Sequence, residues 1–147
     1  MNSLELTKTV ASLGTADTAT DATFTHSIDT LGFDYASVDV VFEAGTAATQ
    51  DLALVLTVGE SDDNTTFTNI TEFVGGGTGG FTIPTATSST ESNVARFNLD
   101  LRGKGRYLKV SATPASDSVV CSVARLGKAD VGPTTAADKG VAVTASA

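Results

Sequence analysis

Residues 94–112, VARFNLDLRGKGRYLKVSA, contain two runs in which apolar and polar side chains alternate. Every second position is apolar: Ala95, Phe97, Leu99 and Leu101 in the first run, and Leu108, Val110 and Ala112 in the second. This period of two places the apolar side chains on one face of a β-strand. The link Gly103-Lys104-Gly105 between the runs predicts a hairpin.

The same alternation recurs along the chain and predicts about eight short strands. They are expected near residues 4–7, 23–29, 37–43, 52–58, 67–74, 94–101, 107–112 and 119–124. The run 52–58 is the most apolar, which indicates cover on both faces. Helical periodicity is almost absent, and turn-forming residues separate the runs. The sequence therefore predicts an all-β, antiparallel two-sheet sandwich of the jelly-roll kind, with extended N- and C-terminal arms.

The 147 residues fit one domain. We expect this β-sandwich domain to span residues 1–126, with a flexible Ala/Thr/Asp-rich segment at 12–21. Residues 127–147 carry three glycines and one proline and are expected to form an extended C-terminal arm. The glycine run 75–80 is expected to be a mobile surface loop.

The composition argues against several functions. One cysteine and one histidine do not suffice for a disulfide scaffold or for metal sites that need several such ligands. There is no tryptophan, so an aromatic platform for sugars is poorly supplied. We expect no secretion signal, no membrane-spanning segment, no cofactor and no enzymatic activity.

We interpret three further features as structural and not as functional sites. Asp62, Asp63 and Asn64 offer oxygen ligands of the kind that calcium uses, but such residues also form ordinary turns, and the turn is favoured. His26 shares a face with apolar neighbours and is expected in the core or an interface, because no nucleophilic motif accompanies it. Cys121 is expected to be a small buried apolar residue. No catalytic, cofactor-binding or metal site is assigned.

The net charge of −8 is unevenly distributed. Residues 1–91 hold thirteen acids and one base, whereas residues 92–147 hold four acids and eight bases. An acidic chain is a poor general binder of nucleic acid. Five of these bases lie between residues 96 and 109, and we call them the basic strip. The strip predicts an intersubunit or capsid contact, and the alternative is that these bases neutralise the protein's own acids. The candidate contact residues are Arg96, Arg102, Lys104, Arg106, Tyr107 and Lys109.

Four stretches together resemble small proteins encoded among the head genes of tailed bacteriophages. They are residues 29–41 (DTLGFDYASVDVV), 60–67 (ESDDNTTF), 97–110 (FNLDLRGKGRYLKV) and 122–126 (SVARL). The chain is similar in this respect to capsid decoration, or cement, proteins.

The resemblance implies a jelly-roll domain on the outside of the virion capsid, made in the cytoplasm of the bacterial host. It implies binding to the major capsid protein and self-association, most often as a homotrimer, with no nucleic-acid or membrane partner. The alternatives are a tail, baseplate or head-fibre component, a carbohydrate-binding module, and a hydrolase on a jelly-roll scaffold.

Overall fold

The computed structural model describes residues 6–14, 22–43, 55–83, 92–114, 118–131, 133 and 135–143. These residues form eight strands and no α-helix. None of the described segments is a helix long and apolar enough to cross a membrane. The strands are β1 (Lys8–Leu13), β2 (Phe24–Asp29), β3 (Phe33–Glu43), β4 (Val55–Ser61), β5 (Thr68–Val74), β6 (Ser92–Asp100), β7 (Tyr107–Thr113) and β8 (Val120–Ala129).

The strands form two four-stranded antiparallel sheets. One has the order β1-β8-β3-β6, which we call the first sheet, and the second has the order β2-β7-β4-β5. Only β4 and β5 are consecutive in the chain and adjacent in one sheet, whereas the other connections pass between the sheets. This nested pairing of β1 with β8, β2 with β7, β3 with β6 and β4 with β5 is the jelly roll, so the predicted fold class is confirmed.

The core lies between the sheets and is built by the period-two pattern. Along β2 and β6 buried and exposed side chains alternate strictly over most of the strand. Fully buried large side chains come from both sheets: Ile28, Val38, Val40, Phe42, Leu56, Val58, Leu108, Val110, Val120 and Leu126. The inner faces therefore hold the sheets together by apolar burial.

The predicted hairpin at Gly103-Lys104-Gly105 is wrong, because β6 and β7 lie in different sheets. The link carries the chain from one layer to the other, and the backbone N–H of Leu101 donates to the carbonyl of Asp34 at 2.8 Å. Alternation determines which face of each strand is apolar. It does not determine whether two consecutive strands pair within one sheet or pack face to face in different sheets, because both arrangements bury the same apolar side chains.

The first strand also differs from the prediction. β1 runs from Lys8 to Leu13 instead of residues 4–7, and it includes the first residues of the segment expected to be flexible. Residues 1–5 and 15–21 lie outside the described part of the chain. β1 is an edge strand of the first sheet, and no residue in it is fully buried, so its apolar pattern is faint.

Other boundaries shift by a few residues. β3 begins at Phe33, four residues before the predicted start, and β4 ends at Ser61 instead of residue 58. The first residues of the predicted fourth strand, 52–54, lie outside the described residues. The glycine run forms a hydrogen-bonded turn in which the N–H of Gly76 donates to the carbonyl of Phe81 at 2.9 Å.

The expected arm boundary at residue 126 falls inside β8, which continues to Ala129. Further on, Thr135 and Asp138 cap each other's backbone N–H groups at 3.1 Å. The turn ends at Gly140, which has φ +70°. The carbonyl of Lys139 accepts a 2.7 Å hydrogen bond from the N–H of Thr9 on β1. The described part of the C-terminal segment therefore lies against the edge of the first sheet.

Candidate interaction surface

One end of the sandwich gathers three of the six predicted contact residues. The β6–β7 loop meets the β2–β3 and β4–β5 loops and the last residues of β8 there, as the register pairs Asp29–Tyr107 and Ser61–Tyr107 require. We call this region the charged end: residues 30–32, 62–67, 101–106 and 128–131. Arg102, Lys104 and Arg106 belong to it.

Arg106 is tied to the end of β2. Its Nε and Nη2 donate to the two carboxylate oxygens of Asp29 at 2.9 and 2.6 Å. Its guanidinium carbon lies 4.8 Å from the centre of the Tyr107 ring, within the range of a cation–π contact. The Thr30 hydroxyl donates to the Arg106 carbonyl at 2.6 Å. These contacts fix the β6–β7 loop against β2.

Lys104 is tied to the end of β4. Its Nζ lies 3.3 Å from Oε1 of Glu60, and the N–H of Gly105 donates to Oε2 of the same carboxylate at 2.8 Å. A Cβ atom at position 105 would lie 2.7 Å from the Ser61 backbone. The loop thus approaches β4 more closely than any residue with a side chain allows.

Arg102 and Lys128 flank Tyr35 on β3. Arg102 makes a bidentate pair with Asp100 at 2.8 and 2.5 Å, and Lys128 pairs with Asp34 at 2.6 Å. The guanidinium carbon of Arg102 and Nζ of Lys128 lie 5.3 and 5.7 Å from the centre of the Tyr35 ring. The ring therefore already engages two cations.

Arg96 lies away from the charged end, whereas Lys109 on β7 reaches it only through Phe67. Arg96 is directly opposite Asp39 across the β3–β6 pair and binds it through two hydrogen bonds of 2.6 and 2.8 Å. Nζ of Lys109 lies 4.2 Å from the centre of the Phe67 ring. The predicted contact residues are thus distributed over the charged end and both sheets.

Three of the ion pairs, those made by arginines, lower the pKa of the carboxyl group. Hydrogen bonds from Arg102 hold the pKa of Asp100 at about 2. Hydrogen bonds from their partner arginines also lower the pKa values of Asp29 and Asp39, although partial burial opposes the effect. These acids are therefore charged at neutral pH, and each balances one base of the strip.

The four bases Arg96, Arg102, Lys104 and Arg106 all have carboxylate partners within the chain. Three of those partners, Asp29, Asp39 and Glu60, belong to the acidic first part of the sequence. Intramolecular neutralisation is therefore present at these four bases. Their contact with another subunit or a capsid stays a prediction.

Two exposed apolar side chains also lie in the charged end. Leu31 is 65% exposed and Val131 is 86% exposed, and the N–H of Asp130 donates to the Gly32 carbonyl at 2.9 Å, which brings their loops together. Sequence reasoning treated both residues as turn or arm positions. No sequence signal identifies them, because an isolated apolar residue in a loop is common.

A groove of about 430 Å³ lies on the outer face of the first sheet, next to Tyr35. Arg125 on β8 lines this groove, and sequence reasoning did not single it out. In the sequence Arg125 is a lone base between Ala124 and Leu126. The side chains of Ser37, Asn98 and Asp100 also line the groove, and Gly127 forms part of its floor.

The segment Asp62-Asp63-Asn64 forms a turn. Oδ1 of Asp63 accepts hydrogen bonds from the N–H groups of Thr65 and Thr66, both at 2.8 Å, and from the hydroxyl of Ser61 at 2.8 Å. These donors lower the pKa of Asp63 to about 2. Within the described ranges, no group of three or more His, Cys, Asp or Glu side chains is placed to hold a metal ion.

His26 lies in the core between the sheets, which is one of the two locations predicted for it, the core or an interface. It is 6% exposed, and its Nδ1 lies 3.0 Å from the hydroxyl oxygen of the fully buried Ser122. Burial lowers the pKa of His26 below its ordinary value. Cys121 is a free thiol of intermediate exposure, so it is less buried than expected.

No protein-family model and no curated protein matches this chain. Twenty chains of solved structures are similar. The SPBc2 prophage-derived protein YomS is 12% identical, over 81% of this chain and 94% of its own, with a TM-score of 0.39. The STIV MCP is 14% identical, over 92% of this chain and 52% of its own, with a TM-score of 0.42. The coat protein of Tobacco streak virus is 8% identical, over 92% and 95%, with a TM-score of 0.37.

The similar structures also include modules of a Clostridium thermocellum xylanase. At these identities and TM-scores the likenesses carry no argument about function. The class that the chain's own strand order defines is an eight-stranded jelly-roll domain.

Proposed function

We propose that this protein is a virion structural protein that binds the outer surface of a tailed-phage capsid as a decoration, or cement, protein. It stabilises the head by non-covalent clamping of capsid subunits and catalyses no reaction. Its partners are the major capsid protein and further copies of itself, arranged as a homotrimer.

The observation that carries the proposal is the convergence of the stretches that resemble phage head proteins. Residues 29–41, 60–67 and 97–110 are far apart in the sequence, yet each supplies one loop of the charged end. Residues 122–126 lie on β8, which runs toward the same end. Three of the four stretches thus each contribute a loop to one end of the sandwich.

The charged end is also suited to binding because its loops are fixed before any partner arrives. Ion pairs join Arg106 to β2, Lys104 to β4 and Lys128 to β3. A loop that is already ordered loses little conformational entropy on association. Leu31 and Val131 then offer apolar area for burial in a contact.

Sedimentation with purified expanded capsids tests the proposal. We expect the wild-type protein to pellet with capsids, and Leu31→Ser to pellet at least several-fold less because it removes exposed apolar area from the charged end. Leu13→Ser is the matched control, because Leu13 is 73% exposed but lies opposite Cys121, at the other end of β8.

Three results would contradict parts of this proposal. A wild-type protein that never pellets with capsids refutes the decoration function. Equal binding by the two leucine variants refutes the charged end as the contact. Imaging of labelled protein on tails instead of heads favours a tail or baseplate component, and light scattering on the purified protein tests the trimer.

A further inference from the structure

The outer face of the first sheet carries a groove whose polar side chains lie in two rows across the strands. Arg125 on β8, Ser37 on β3 and Asn98 on β6 are register partners and form one row. Gly127, Tyr35 and Asp100 form the adjacent row in the same way. Because paired residues in a sheet share a face, both rows line the same groove.

Arg125 is the base in this groove whose charge is not balanced. The neighbouring bases Arg96, Arg102 and Lys128 are paired with Asp39, Asp100 and Asp34. Arg125 is exposed, and it forms no ion pair within 4.0 Å among the described residues, although it is near enough to Asp39 to help lower the pKa of that carboxyl. Among the described residues, four bases and three acids therefore lie in or beside the groove, which leaves a local charge of +1.

The row formed by Arg125, Ser37 and Asn98 carries hydrogen-bond donors. A guanidinium offers a planar set of N–H donors that fits a carboxylate through two parallel hydrogen bonds. The Asn98 amide and the Ser37 hydroxyl lie beside it in the same row. Above Gly127 there is open space, since a Cβ built there has no atom within 4 Å. A carboxylate on a short side chain can thus enter over Gly127 and reach Arg125.

We propose that this groove binds a carboxylate side chain from an acidic segment of a protein partner. The inference rests on the proposed function, and it names the chemistry of the capsid surface that the protein meets. An acidic sugar has the same carboxylate, but the aromatic face on which a sugar ring commonly packs is not open here, because the Tyr35 ring already engages Arg102 and Lys128.

Titration with an acetylated hexaglutamate amide, followed by NMR at about 0.1 M salt, tests the inference. At this ionic strength charges more than about 10 Å away are largely screened. We expect the peptide to shift the Arg125 side-chain N–H and the Gly127 amide. Arg125→Gln should weaken binding at least about tenfold, the usual scale for loss of a charge-assisted hydrogen bond.

Lys128→Gln is the matched control, because it removes one positive charge three residues away and leaves the groove donors in place. It should change the affinity less than twofold. Gly127→Leu tests the groove without a change of charge. Its backbone has no positive φ, and its side chain should fill the entry and abolish the Arg125 shift.

Several outcomes would overturn the inference. They are the absence of peptide binding, an equal loss for Arg125→Gln and Lys128→Gln, and binding of oligogalacturonate in the absence of hexaglutamate binding. Hexaglutamine, with no charge, should not bind.

The groove proposal and the decoration proposal can be refuted separately. Capsid binding without peptide binding refutes the groove alone, and peptide binding without capsid binding refutes the decoration function alone.

Discussion

His26 is held in the core by a hydrogen bond to Ser122 that joins the two sheets. Because burial disfavours the imidazolium, its pKa is lower in the folded protein than in the unfolded chain. The unfolded state therefore binds more protons as the pH falls below about 6.5. The stabilising contribution of neutral His26 is fully present above that pH and is lost as the pH falls through the lower folded value.

We predict that the free energy of unfolding of the wild-type protein decreases as the pH falls from about 7.5 to 5, by at most about 1.4 kcal/mol per pH unit. The thermal midpoint should fall with it. His26→Gln keeps a polar group for Ser122 but does not titrate, so its midpoint should be lower at pH 7.5 and nearly flat over this range. Parallel pH profiles of the two proteins in scanning calorimetry would show His26 to be uninvolved.

Gly105 and Gly127 make a second residue-scale comparison. Gly105→Ala would press a Cβ to within 2.7 Å of the Ser61 backbone, so we predict a loss of about 1–3 kcal/mol in unfolding free energy. Gly127→Ala meets no atom within 4 Å and should change stability by less than about 0.5 kcal/mol. Urea unfolding measures both, and equal values would contradict the close approach of the β6–β7 loop to β4.

At the scale of elements, the turn at residues 135–141 covers part of the edge of β1. Gly140→Ala would place a Cβ 1.8 Å from the Thr9 carbonyl oxygen, at a φ of +70° that disfavours side chains. We predict that this variant loses the hydrogen bond from the Thr9 N–H to Lys139. Hydrogen exchange at Thr9 should then accelerate at least about tenfold, while amides of β7 keep their protection.

Lys139→Ala serves as the control, because it keeps the accepting carbonyl and the turn glycine. Its Thr9 amide should exchange at the wild-type rate. Fast exchange at Thr9 already in the wild-type protein would show that the turn does not stay on β1 in solution.

The sequence predicts the elements better than their arrangement. β2, β6 and β7 follow from strict alternation, because each has one buried face. β1 is missed because an edge strand with no fully buried residue carries little pattern. The link at Gly103 is assigned to a hairpin because alternation reports a strand's faces and not its neighbours.

The candidate site shows the same limit. The basic strip is visible in the sequence, but its partners are not, since Asp29 and Arg106 are 77 residues apart. Arg125 differs from the surrounding bases only in the folded protein, where those bases are paired with acids and Arg125, among the described residues, is not. A site defined by an unbalanced charge depends on every neighbouring pair and cannot be read from spacing alone.

At the scale of the whole molecule, the carboxylates predict a second loss of stability in acid. Asp63 and Asp100 have pKa values of about 2 in the folded protein, against about 3.9 for a free side chain. The unfolded state thus takes up protons first, so the contribution present above about pH 4 is lost as the pH falls toward 2. NMR titration should place both carboxyl midpoints near pH 2, and ordinary midpoints would contradict the turn and ion-pair geometry.

The nested strand order also has a consequence for the time course of folding. The pair β4–β5 closes a short loop, whereas β1 must find β8 more than about 100 residues further along the sequence. Loop closure becomes entropically more costly with sequence separation. We therefore expect pairing to spread outward from β4–β5, so that on the ribosome β1 waits until residues 120–129 have been synthesised before its partner exists.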